Sequence, residues 1–141
     1  MVVSVHAAAG AALGALVGNP LGGFLAGFVS HGVLDAVPHT DYRTAGPGVI
    51  DALVGLAFLT WLAVAQPGGP LALAAFWGGL GGMLPDTEVA VAHLFFQGRM
   101  RHVYPSHTGL TPHPQVAPPR GIWTQAVTLA LAVAILIGRL A

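Results

Sequence analysis

The chain has no cysteine and no lysine, and charged residues make up only 7% of its 141 positions. Without cysteine, disulfides and thiolate metal ligation are excluded. A water-soluble domain carries about 25% charged residues, so this chain has too few to cover a solvated surface. Five basic residues, all arginine, balance five acidic ones, and with no basic cluster a nucleic-acid partner is not expected. The rest is largely apolar, with 55% hydrophobic residues, 20 glycines and a mean hydropathy of +0.74. These proportions predict an all-α polytopic membrane protein forming one integral membrane domain over residues 1–141.

Glycine and proline divide the apolar runs into about five membrane segments. The first runs from about Val2 to Val17 and breaks at "GNP". It has no positively charged leader, so it reads as a membrane helix rather than a cleaved signal. The second covers about Leu21 to Ala36 and stops before Pro38, since the residue ahead of proline disfavours the helical conformation. The third spans about Val49 to Ala65, and the fourth runs from about Leu71 to Leu84, with a continuation past Pro85 to Phe96 left open. A polar, proline-rich loop over 97–121 could serve as a lid, and a last helix covers about Ile122 to Gly138. Roughly 20 apolar residues are needed to span a bilayer. The first hairpin falls short of that, so tilting, thinning or re-entrant geometry is open for it. Glycines recur every four residues, at Gly10, Gly14 and Gly18, at Gly23 and Gly27, and at Gly78 and Gly82. That spacing lets apolar helices approach closely.

If the segments alternate in direction, the ionisable residues gather on one side. His6 starts the first helix, His31 and Asp35 end the second, Asp51 starts the third, and Asp86 and Glu88 end the fourth. Arg43, Arg99, Arg101 and Arg120 flank the same side and only Arg139 the other, which makes the polar side cytoplasmic. A faint duplication supports this arrangement, each hairpin running from a polar start through a Gly/Pro turn to an aspartate.

His31 and Asp35 lie four residues apart and so share a helix face. An imidazole nitrogen and a carboxylate placed in this way can hold one divalent cation. After Pro38 the chain can turn back and bring His39 or Asp41 to the same ion. With no thiolates and many imidazoles, Zn²⁺, Mn²⁺, Fe or Ni suits the site better than Mg²⁺ or Ca²⁺, with Zn²⁺ or Mn²⁺ foremost, as one or two ions. Expected metal ligands are His6, His31, Asp35, Asp51 and Asp86. His39, Asp41, Glu88 and His107 are expected to orient water or protonate a leaving group. Arg99, Arg101 and His113 are expected to hold a substrate phosphate, because charged side chains bind phosphate strongly. Taken singly, each residue is as well explained as a wetted residue near a helix end.

"GGMLPDTE" (Gly81 to Glu88) followed by "HTGLTPHP" (His107 to Pro114) resembles the signature of small bacterial and archaeal membrane-bound metal-dependent hydrolases, among them the SOS-regulated inner-membrane group. "SHGVLD" (Ser30 to Asp35) and the early His6 are similar to further elements of that signature, although "SHGVLD" comes early here rather than late. The resemblance implies that His6, His31, Asp35, Asp86, His107 and His113 are ligands or catalytic groups, and that the protein sits in a prokaryotic inner or plasma membrane. A more distant similarity is to zinc-dependent phospholipases C and related nucleases. The expected activity is hydrolysis of a phosphoester in a lipid or lipid-linked substrate, with self-association into a homo-oligomer left open. The alternatives are a metal or proton transporter or channel, a non-catalytic membrane metal-binding protein, and a haem protein with histidine axial ligands.

Overall fold

A computed structural model describes residues 1–141 and is all-helical. Its helices are α1 (Val3–Val17), α2 (Pro20–Asp35), α3 (Ala45–Ala65), α4 (Pro70–Met83), α5 (Asp86–Phe96), α6 (Pro105–Thr108) and α7 (Arg120–Leu140). Local sequence accounts for the boundaries. Gly18 closes α1 at φ 77°, a left-handed conformation that glycine adopts without strain. The Asn19 side chain then accepts a hydrogen bond from the Gly22 amide at 2.8 Å, capping α2 with Pro20 at its first turn. Pro85 separates α4 from α5, so the fourth apolar run ends at Met83 instead of continuing to Phe96.

Only α3 and α7, of 21 residues each, are long and apolar enough to cross a membrane; α1 and α4 are apolar but shorter. The lengths therefore support two full spans where the apolar runs alone suggested five. Side chains such as Leu53 and Val64 on α3, and Leu131 and Ile137 on α7, are exposed. Apolar surface on this scale fits a membrane location.

The short helix α1 has no polar face and is buried at the centre of the bundle. Its alanines form the core with Leu59 and Leu62 of α3, Ala75 and Met83 of α4, and Ala132, Leu136 and Leu140 of α7. Helix α4 packs backbone to backbone against α1 on one side and α2 on the other. A Cβ at Gly10 or at Gly27 would collide with the Gly78 carbonyl, and one at Gly81 with the Phe24 carbonyl. The four-residue glycine spacing is thus what allows three helices to touch.

The helices alternate in direction. At one end of the bundle, Val2 meets Gln125 of α7, Ser4 meets Asp51 of α3, and His6 meets Asp35 of α2. At the other end, Arg139 bonds the Ala15 carbonyl and Gly68 lies against Leu140. The segment between α5 and α7 lies over the polar end. It is joined there by a parallel bridge between His39 and Gln115, in which the Val116 amide donates to the His39 carbonyl at 2.9 Å.

Candidate metal centre

Asp35, the last residue of α2, is 1% exposed and stands at the middle of the polar end. Around its carboxylate lie His6 Nε2 at 3.1 Å, His31 Nε2 at 3.2 Å, His113 Nδ1 at 3.6 Å and His107 Nε2 at 3.7 Å. Ser106 donates its hydroxyl to Oδ2 at 2.7 Å, and the Met1 nitrogen lies 2.6 Å from Oδ1. The residues come from α1, α2 and the segment that closes the bundle, which is how positions distant in sequence converge.

The imidazoles are held in a definite sense. His31 Nδ1 is 2.7 Å from the Gly82 carbonyl, His39 Nδ1 is 2.7 Å from the Val37 carbonyl, and His107 Nδ1 is 2.7 Å from Glu88 Oε1. Each of these oxygens can only accept, so in the neutral ring Nδ1 carries the proton and Nε2 keeps its lone pair. The Nε2 lone pairs of His31 and His107 face one another at 3.3 Å, and His39 Nε2 lies 3.0 Å from His113 Nε2, which also reaches Asp41 Oδ2 at 3.1 Å. Carboxylate oxygens complete each group. Asp35 Oδ2 and Asp86 Oδ1 lie 3.2 and 3.8 Å from His31 Nε2, and Asp41 Oδ2 lies 3.2 Å from His39 Nε2.

Acceptors placed so close repel one another unless a cation lies among them, and around His39 that cation is the Met1 ammonium, 2.6 Å from both His39 Nε2 and Asp35 Oδ1 and 3.4 Å from Asp41 Oδ1. Histidines whose far nitrogen donates to a carbonyl or carboxylate are the usual form of metal ligands. Four buried or part-buried groupings are close enough to hold an ion: His6 with His31 and Asp86, His31 with Asp35 and His107, Asp35 with His39 and His113, and Glu88 with His102 and His107. His6 Nδ1 and Asp86 Oδ2 are buried without a hydrogen-bond partner. Unsatisfied groups of this kind are costly in a bare protein, and a cation would relieve that cost. The residues therefore fit a metal on the His31 side of Asp35, while on the His39 side a metal would take the place that the Met1 ammonium holds in this structure.

The expected residues do not all meet here. His6, His31, Asp35 and Asp86 do, and they are joined by His39, Asp41 and His107, expected as water-orienting or acid groups, and by His113, expected to hold phosphate. Asp51 stays apart. Its carboxylate accepts the Ser4 amide at 3.0 Å and the Ser4 hydroxyl, which caps the start of α1. Glu88 lies behind His107 and also accepts the Val103 and Tyr104 amides at 2.8 and 3.1 Å. Arg101 lines a recess of about 710 Å³ with His102 and His107, whereas Arg99 is exposed and does not line it.

Burial pushes His107 below the ordinary imidazole range, against the pull of Glu88. For His113 the hydrogen bond with Asp41 acts the other way and raises it. Burial works to raise Asp41, but its contacts with the His113 and His39 imidazoles outweigh it and leave its carboxyl well below the usual range.

Supporting residues were harder to find in the sequence. Ser106, Tyr104, Gln115 and Gln125 are ordinary polar residues in loops or in an apolar helix. Gln125 accepts the Val2 amide at 3.0 Å and donates to the Thr40 carbonyl at 2.9 Å, tying α7 to the segment bearing His39 and Asp41. Tyr104 places its hydroxyl between the Phe28 carbonyl at 2.6 Å and the Gly32 amide at 3.0 Å, on either side of His31 in α2. A Cβ at Gly32 would stand 3.2 Å from that hydroxyl.

No family model, curated protein or solved structure matches this chain.

Proposed function

We propose that the chain is a membrane-embedded, metal-dependent hydrolase that cleaves a phosphoester of a lipid or lipid-linked substrate. The observation carrying this reading is the pair of close imidazole contacts on either side of Asp35, His31 with His107 and His39 with His113. Zn²⁺ or Mn²⁺ bound by these residues would lower the pKa of a water and neutralise charge on the phosphoryl oxygens. His6, His31, Asp86 and His107 would hold one ion and His39, Asp41 and His113 a second, with Asp35 between them.

The protein's own groups then have distinct tasks. Glu88, through its bond to His107 Nδ1, fixes the direction in which that ring presents Nε2. Ser106 holds one Asp35 oxygen in place by donating to it. Arg101, at the edge of the recess beside His107, is positioned to meet a phosphate oxygen with its guanidinium. The many arginines at the site end favour a cytoplasmic position for it, with Arg139 alone at the far end.

The test is release of phosphate or headgroup from lipid vesicles by the detergent-purified, Zn²⁺- or Mn²⁺-supplemented protein. Turnover that disappears in Asp35→Asn and on chelation supports the reading. Metal uptake into vesicles without turnover would replace it with a transporter.

A further inference from the structure

Beside the metal centre lies an apolar groove of about 830 Å³, within the usual range for small-molecule sites. Its walls include Val29 and Val33 of α2, Leu84 at the α4–α5 corner, and Val103 on the closing segment. The small residues Gly32 and Ala36 also line it, where larger side chains would fill the space. Glu88 is the one charged residue in its lining, and it bonds His107 at 2.7 Å. Pro105, also in the lining, immediately precedes Ser106, the donor to Asp35. The groove therefore adjoins the metal centre through Glu88 and Pro105, each one residue removed from a group at the centre.

Away from the centre the groove continues into exposed apolar surface. Leu21, Leu25, Val29 and Val33 follow one another at four-residue steps along α2 and are 71, 53, 64 and 63% exposed. Residues at that spacing share one face, so a continuous apolar track runs along α2 into the groove. A molecule matching this surface has a polar head at the metal centre and a hydrocarbon tail alongside α2.

We infer that this groove holds one hydrocarbon chain of the substrate, which enters sideways from the bilayer along the α2 track while its phosphoester reaches the His/Asp centre. The inference rests on the hydrolase reading for the head of the substrate, but the chain's position can be measured without any turnover.

The experiment reconstitutes the full chain in phosphatidylglycerol–phosphatidylethanolamine vesicles containing a trace of phosphatidic acid with a diazirine at the end of one acyl chain. After irradiation, labelled residues are mapped by mass spectrometry. Labelling is expected to concentrate at Val29, Val33, Leu84 and Val103 over outward positions such as Leu53 and Leu131. Val33→Trp and Ala36→Phe should remove the groove label while leaving the α3 and α7 label and the metal content intact. Uniform labelling that survives both variants would overturn the proposal. So would a co-purifying polypeptide that shields these positions from lipid.

A second arm uses water-soluble alkyl p-nitrophenyl phosphates of increasing chain length. Seating each added methylene from water is expected to raise kcat/KM by about two- to fourfold in the parent. Val33→Trp should flatten that dependence, and a flat series in the parent would contradict the groove. No turnover of any member, combined with concentrated groove labelling, would retire the hydrolase reading and leave the lipid site standing.

Discussion

His31 donates its Nδ1 proton to the Gly82 carbonyl at 2.7 Å, joining the polar end of α2 to the last turn of α4. The same glycine lies so close to α1 that a Cβ there would collide with the His6 carbonyl. One residue therefore sets both the helix packing and the orientation of a candidate ligand. Gly82→Ala is expected to push α1 and α4 apart at the site and to destabilise the protein by about 1–3 kcal/mol, as overpacking does. Denaturant or thermal unfolding in detergent measures the stability loss, and a metal titration should show weaker binding in the same variant. Unchanged stability and affinity would refute this dual role.

Glu88 orients His107 from behind, accepting from Nδ1. Removing such a partner from a metal-bound histidine lowers metal affinity by about 10–100-fold. Glu88→Gln should show this loss in a competition titration against a chelator while circular dichroism remains that of the parent. The amide can still accept one hydrogen bond, so Glu88→Ala should lose more.

The Tyr104 hydroxyl bridges the Phe28 carbonyl and the Gly32 amide. Tyr104→Phe keeps the ring and removes the bridge, at an expected net cost of about 0.5–1.5 kcal/mol. Amide exchange on α2 should speed up near Gly32 more than near Gly23, where the helix packs on the Ala74 carbonyl. Equal acceleration along the whole helix would indicate a global effect instead.

The two sides of Asp35 should titrate apart. Metal ligands must be deprotonated, so protons compete with the ion. His113 is raised by its bond to Asp41, and so holds its proton to a higher pH than an ordinary imidazole. His107 is lowered by burial and gives up its proton at a lower pH. On acidification, the ion beside His39 and His113 should therefore leave first, and the ion beside His31 and His107 at lower pH. Asp41→Asn removes the carboxylate that raises His113 and should reduce proton competition there, although it also removes a candidate ligand. Metal content after equilibration across a pH series reads this order, and a single step for both ions would contradict it.

Much of this arrangement was legible in the sequence because it depends on local spacing. His31 and Asp35 share a face by helical period, the Gly/Pro breaks mark the helix ends, and the alternation of hairpins brings His6 and Asp86 to the same end. The glycine repeats likewise announced close packing. The role of Asp51 was not legible, since a carboxylate near a helix start reads alike whether it binds an ion or caps a neighbouring helix. The arrangement of His39 with His113 depended on the bridge between His39 and Gln115, a contact between segments 76 residues apart with no periodic signal. Helix lengths also set a limit. Apolar runs of similar composition became a buried central helix in α1 and a long outer one in α3, and that difference follows from packing rather than hydropathy.

The central claim is that the His/Asp groups around Asp35 hold metal. Its most direct test is elemental analysis of the detergent-purified protein beside a His31→Ala/Asp35→Ala double variant, each supplemented with Zn²⁺ or Mn²⁺ and then desalted. The account predicts one to two equivalents of tightly held metal in the parent and loss of most of it in a variant that remains helical. A parent that retains no metal after supplementation, or a variant that binds as much as the parent, would contradict it.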